Sequence, residues 1–146
     1  GNYQHDLYRG RVRSSLDSAV ERLLRYQIFP ARRMRAQVCS ADGVIALGAT
    51  IVQRVRLAPV TLETAVRVIE CERTPRGAHF AYVTLAGHPE CGIARFAVER
   101  EGEAIVFSVE AWSRPGHPLA RFARPLARHL QRTITREAVE AFCSAP

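Results

Sequence analysis

Two short stretches of this chain gather side chains that could do chemistry. The first is Gly87-His88-Pro89-Glu90. A carboxylate two residues from an imidazole can orient its ring, which is what a general base needs, so His88 and Glu90 form the candidate catalytic pair. The same four residues also make a serviceable tight turn whose polar side chains cap backbone groups. The second stretch, Ala111-Trp112-Ser113-Arg114-Pro115-Gly116-His117-Pro118, joins an apolar strand to a C-terminal helical pattern. Unpaired amides at a helix start favour an anion, so Arg114, with Ser113 and His117 beside it, could clamp an acidic head group. The alternative has Arg114 pairing with Glu110 or Glu90 and stapling strand to helix.

Other chemistries find less support. Ser113 lacks the Gly-x-Ser-x-Gly setting that exposes a serine nucleophile. Cys39, Cys71, Cys91 and Cys143 include no Cys-x-x-Cys pair, and a set drawn from His88, Glu90, Cys91 and His117 has generic spacing, so no metal site is expected. No cofactor is expected either. Four reduced thiols without a charged-then-apolar leader give the expectation of a cytoplasmic protein.

Elements of definite type must position these residues. Tyr3 to Val12 reads as an opening strand, and Ser14 with Asp17 suggests a capping box for a short helix that ends before Phe29-Pro30. On that helix Leu16, Val20, Leu23 and Leu24 form the apolar face, opposite Asp17, Glu21, Arg22 and Arg25. The period then changes to two. Strands are expected over 34–39, 44–50, 51–57, 64–73, 78–85, 92–100 and 104–112, with 44–57 alternatively one bulged strand. Short connections make neighbours antiparallel. A last helix is expected over about 125–143, roughly 28 Å long at 1.5 Å per residue. Its apolar side carries Leu126, Leu130, Ile134 and Ala138, and its other side Arg121, Arg124, Arg128, Arg132 and Arg136.

The 146 residues suit one domain able to bury about 70% of its unfolded surface. With 47% hydrophobic residues and no low-complexity tract the chain reads as globular, and no apolar run is long enough to span a bilayer. The net charge of +7 points toward anionic partners, but all 21 basic residues are arginine, a bias that alanine-rich, high-GC coding produces without any binding role. The arginine stripe has no aromatic interleaving, so nucleic acid is not the expected partner.

Several runs together carry a family resemblance: Asn2-Tyr3-Gln4-His5-Asp6, Phe80-Ala81-Tyr82, Gly87-His88-Pro89-Glu90, Arg95-Phe96, Ser113-Arg114-Pro115, and Pro125-Leu126-Ala127-Arg128 with Gln131. The chain resembles uncharacterised protein family 0548 over nearly its whole length. Where the family pattern carries acidic residues after Gly92, this chain has Ile93 and Ala94. The resemblance implies an α+β helix-grip fold of the START and Bet v 1-like kind: a curved antiparallel sheet of about seven strands around a long C-terminal helix, enclosing a cavity. It implies no established reaction. The expectation is therefore a single domain, 1–146, that holds a small hydrophobic or amphipathic ligand, with Tyr82 and Trp112 lining the cavity and Arg95 or Arg114 meeting an acidic group. Acid/base chemistry in the same cavity, or docking of the basic helix on an anionic partner, are the alternatives.

Overall fold

Seven period-two segments pair edge to edge because a strand with one apolar face must bury it and must share its backbone hydrogen bonds. The computed structural model describes residues 3–57, 59–88, 90–115 and 124–146. The elements are β1 (Gln4–Arg11), α1 (Leu16–Leu24), β2 (Met34–Cys39), β3 (Thr50–Leu57), β4 (Val60–Thr74), β5 (Gly77–Thr84), β6 (Glu90–Glu101), β7 (Ala104–Pro115) and α2 (Arg124–Ser144). They build one antiparallel sheet in the order β1-β7-β6-β5-β4-β3-β2. The first strand thus lies beside the last, which brings the N-terminal segment under the C-terminal helix.

Both helices cover one face. α1 packs on β5 and β6, and α2 packs on β1 and β7. Between helices and sheet lie Phe80, Phe96, Phe107, Phe142 and Leu23, all fully buried. Each contributes about 1.5–3 kcal/mol by leaving water. The long helix therefore grips only one end of the sheet, and α1 with the segment after it fills the other. Among the described residues, no helix is long and apolar enough to cross a membrane.

The structure corrects several local expectations. Residues 44–49 form no strand, because Gly43 (φ 72°) and Gly48 (φ 82°) take left-handed conformations that break a pleat. This segment plugs the core with Ile45, held by Ile45 N to Leu24 O at 2.6 Å, and Ala49 O accepts from Val68 N at 2.9 Å. Next to that contact the pairing of β4 with β5 shifts register between Val68 and Glu70, and the sheet bends there. The cap of α1 is Ser15, which accepts from Ser18 N at 3.2 Å, and not Ser14. Ser14 Oγ instead accepts from Arg22 Nη2 at 2.9 Å. Arg22 is therefore only partly solvated: its guanidinium lies 4.1 Å over the Phe142 ring and donates to Phe142 O.

On α2 the apolar stripe is Ile134, Ala138, Val139 and Phe142, while Leu126 is 64% exposed. The first turns of α2 pass over the polar end of β1, where Arg128 turns inward to Asp6 and the expected solvated arginine face is interrupted. Arg132 also reaches toward Asp6, at 3.9 Å. The four cysteines are free thiols.

Candidate functional site

Cross-strand register decides which side chains share the covered face. Asp6, Ala111, Ala94, Tyr82 and Val68 form one row, and Gln4, Ser113 and Gly92 the next. On β6 both rows have small residues, Gly92 and Ala94, and on β7 Ala111 stands beside Ser113. The three small residues floor a recess of about 80 Å³ whose polar walls include Tyr82, His88, Ser113 and Gln131. Gly92 is required by a close approach: a Cβ there would sit 2.0 Å from the Trp112 carbonyl oxygen. Its N–H donates to Thr84 Oγ1 at 3.0 Å, which ties the two strands at the rim.

Tyr82 ends a buried hydrogen-bond relay. Thr64 Oγ1 donates to Gln53 Oε1 at 3.1 Å, Gln53 Nε2 donates to Tyr26 Oη at 2.7 Å, and Tyr26 O–H points at Tyr82 Oη at 3.5 Å. All four side chains are buried. Burial, reinforced for Tyr26 by the neighbouring Tyr82 phenol, pushes the phenol of Tyr26 well above its ordinary value, and burial also raises Tyr82. Tyr26 is held at φ 57°, in the left-handed position after α1 that glycine usually takes. Its ring packs edge-on against Phe80, Tyr82 and Phe96, and that packing offsets the backbone cost.

The sequence pairs His88 with the Glu90 carboxylate, but a backbone group holds the imidazole. Glu90 N donates to His88 Nδ1 at 3.0 Å, so the ring caps its own turn. The residue is partly buried, and burial lowers its pKa. A ring that accepts at Nδ1 and is neutral carries its proton on Nε2. Glu90 also lines the recess.

The other expected site residues divide between the two faces of the sheet. Ser113 is buried and lines the recess. Trp112 and Arg114, on either side of it in β7, stand on the outer face, and Trp112 also contributes to the lining of the recess. Trp112 stacks on His5 at 5.1 Å, and the Arg114 guanidinium lies 5.4 Å from the Tyr3 ring centre. Glu110, one of the partners expected for Arg114, instead binds His5 Nε2 at 2.8 Å. Arg95 lies on the outer face as well, 3.9 Å from Glu99. The anion clamp expected at the hinge is therefore not assembled from these arginines, because strand alternation turns Ser113 and Arg114 to opposite sides. His117 lies outside the described residues. Among the described residues, no group of three or more His, Cys, Asp or Glu side chains could hold a metal ion.

Tyr26, Gln53 and Thr64 were not expected at the site. A signal did exist: Gln53 shares a face with Ile51, and Thr64 with Val66 and Val68, so each is a polar residue on an apolar face.

The geometry sits in a recognisable lineage. The sequence pattern of a domain of unknown function, DUF1990, matches residues 1–141. The chain belongs to the DUF1990 family. Within 81 aligned residues it is 38% identical to a UPF0548 protein of Deinococcus radiodurans, an alignment that spans 49% of this chain and 41% of that relative. Among solved structures, this DUF1990 chain is similar to ginseng major latex-like protein 151 from Panax ginseng, with a TM-score of 0.66 at 12% identity over 99% of this chain and 100% of the other. Norcoclaurine synthase from Thalictrum flavum, in complex with dopamine and hydroxybenzaldehyde, gives 0.60 at 11% identity over 94% and 84%. A START superfamily protein from Mycobacterium smegmatis gives 0.55 at 11% over 97% and 99%. The fold of this DUF1990 chain is thus START and Bet v 1-like, as the sequence resemblance implied.

Proposed function

We propose that this protein binds a small, partly apolar molecule in the recess between the β5–β7 end of the sheet and α2. The observation that carries the proposal is the meeting of a small-residue floor, Gly92, Ala94 and Ala111, with the polar side chains of Tyr82, His88, Ser113 and Gln131. Evenly apolar packing would have filled this space with larger side chains. A recess of about 80 Å³ is well below the roughly 300–1,000 Å³ that surrounds drug-sized ligands, so it takes a small molecule or the head group of a larger one. The Thalictrum neighbour holds two small aromatic molecules in the same kind of fold, which supports a ligand-binding reading. The aromatic cluster of Tyr26, Phe29, Phe80 and Phe96 packs against Tyr82 and limits the ligand on that side. Four free thiols suit a reducing, cytoplasmic setting.

Native mass spectrometry of protein purified from its own host tests the proposal. The expected result is a small molecule retained at near-unit stoichiometry and lost in Ala94→Leu, which fills the recess. An unliganded wild type that binds nothing from the host's organic extract sinks the reading.

A further inference from the structure

We propose that the recess recognises a neutral carbonyl oxygen, through the hydroxyl of Tyr82 and the Nε2–H of His88. The inference rests on the ligand-binding reading above and narrows it to a chemical class.

The direction of the relay is the first support. Each hydroxyl can donate once, and Thr64 spends its proton on Gln53, which in turn donates to Tyr26. Tyr26, already an acceptor from Gln53, spends its own proton on Tyr82 Oη. With Tyr26 and Gln53 as its neighbours on the core side, the Tyr82 hydroxyl can turn its proton to the recess. Tyr82 lines the recess, so that proton is available to a ligand. A chain of bonds running in one direction polarises its last donor, which strengthens the bond it makes.

The second support is independent. Glu90 N–H occupies His88 Nδ1, which leaves Nε2–H as the ring's remaining polar group at a recess that His88 also lines. Ser113, buried and without a side-chain hydrogen bond among the described residues, adds a third donor. Two groups fixed as donors call for an acceptor. Among the described lining residues there is no lysine or arginine to pair with a carboxylate ligand, which favours an uncharged ketone, amide or ester. Gln131 Oε1, buried and without a partner among the described residues, could accept the N–H of an amide.

The test uses three probes of matched size, carbonyl-labelled acetone, acetate and isopropylammonium, titrated into the whole chain and followed by backbone amide shifts. The expected result is saturable millimolar binding of acetone that moves the Gly92, Ala94 and Ser113 amides, with its carbonyl carbon shifted downfield as hydrogen bonding to it requires. Tyr82→Phe should weaken acetone at least five-fold and remove most of that shift. Tyr26→Phe, which leaves the Tyr82 hydroxyl in place but cuts the relay, should weaken it about two-fold. Tighter binding of isopropylammonium or acetate than of acetone, or Tyr82→Phe without effect in a protein whose spectrum stays native, overturns the carbonyl inference while leaving a binding recess. If none of the three moves any recess amide, the carbonyl inference is overturned, and a negative host-extract experiment would take the recess reading with it.

Discussion

Arg128 on α2 grips Asp6 on β1 with two hydrogen bonds, Nη1 to Oδ2 at 2.8 Å and Nη2 to Oδ1 at 3.2 Å, across 122 residues of chain. The side chains are only 13% and 15% exposed, so this is an internal clamp and not a surface pair. Breaking such a pair strands a charge away from water. Asp6→Ala or Arg128→Ala should each cost about 3 kcal/mol in urea unfolding, and the double variant clearly less than the sum. Strict additivity would show that the two groups do not hold α2 to the sheet.

The Tyr26 relay should behave as one unit. Tyr26→Phe removes the acceptor 2.7 Å from the buried Gln53 Nε2 and should cost about 1–3 kcal/mol. Adding Gln53→Leu and Thr64→Val should restore part of that loss, since an apolar replacement leaves nothing unpaired. Progressive destabilisation through the series would argue that packing, and not hydrogen bonding, is what these residues supply.

Alkaline unfolding should report the same two phenols. Their native pKa values are raised, so their contribution is complete below about pH 10, the ordinary tyrosine value, and is lost as pH climbs from there through the native values. The unfolded chain ionises first and is favoured by about 1.4 kcal/mol per pH unit for each group. In a tyrosinate absorbance titration Tyr26 and Tyr82 should ionise only together with loss of structure. Reversible ionisation of all four tyrosines in a folded protein would contradict this.

His88 should act on the acid side. Its native pKa is lowered by burial, so the folded ring resists a proton that the unfolded ring accepts near pH 6.5. Stability attached to His88 is therefore present above about pH 6.5 and declines as pH falls toward the lowered native value. Urea midpoints measured across that window should fall less steeply in His88→Gln than in wild type. Nitrogen chemical shifts at neutral pH should show the Nε2–H tautomer, and an Nδ1–H ring would refute the turn-capping geometry.

Gly92→Ala tests the floor of the recess. The added methyl would press on the Trp112 carbonyl oxygen from 2.0 Å, so β6 and β7 must part locally. A loss of about 2 kcal/mol is expected from the forced shift, together with weaker probe binding. A neutral outcome would mean that the strands already have slack at this crossing.

Much of the fold was legible because it follows from repeating patterns. Alternation marks a strand wherever one face is buried, and the 3.6-residue stripe of Leu126, Leu130, Ile134 and Ala138 marks a helix however the remainder folds. The expected strand over 44–50 failed because a run of apolar residues does not reveal that two glycines will turn left-handed and tuck Ile45 into the core. The capping serine was misplaced by one position, since Ser14 and Ser15 offer the same hydroxyl and only the approach of Arg22 separates them.

The candidate site was legible only in its parts. The sequence by itself determined most of the strand and helix content, the DUF1990 family pattern, and a short list that included Tyr82, His88 and Ser113. It placed Arg114 and Trp112 beside Ser113, and along the chain they are. Only the tertiary structure decided that pleating sends the Arg114 side chain to the opposite face, that Tyr26, Gln53 and Thr64 converge on Tyr82 from three separate elements, and that Asp6 turns Arg128 inward. Periodicity is a local property of the backbone, fixed by its own dihedral angles, whereas a site depends on strand order and register, which emerge only when distant segments pair and exclude water together.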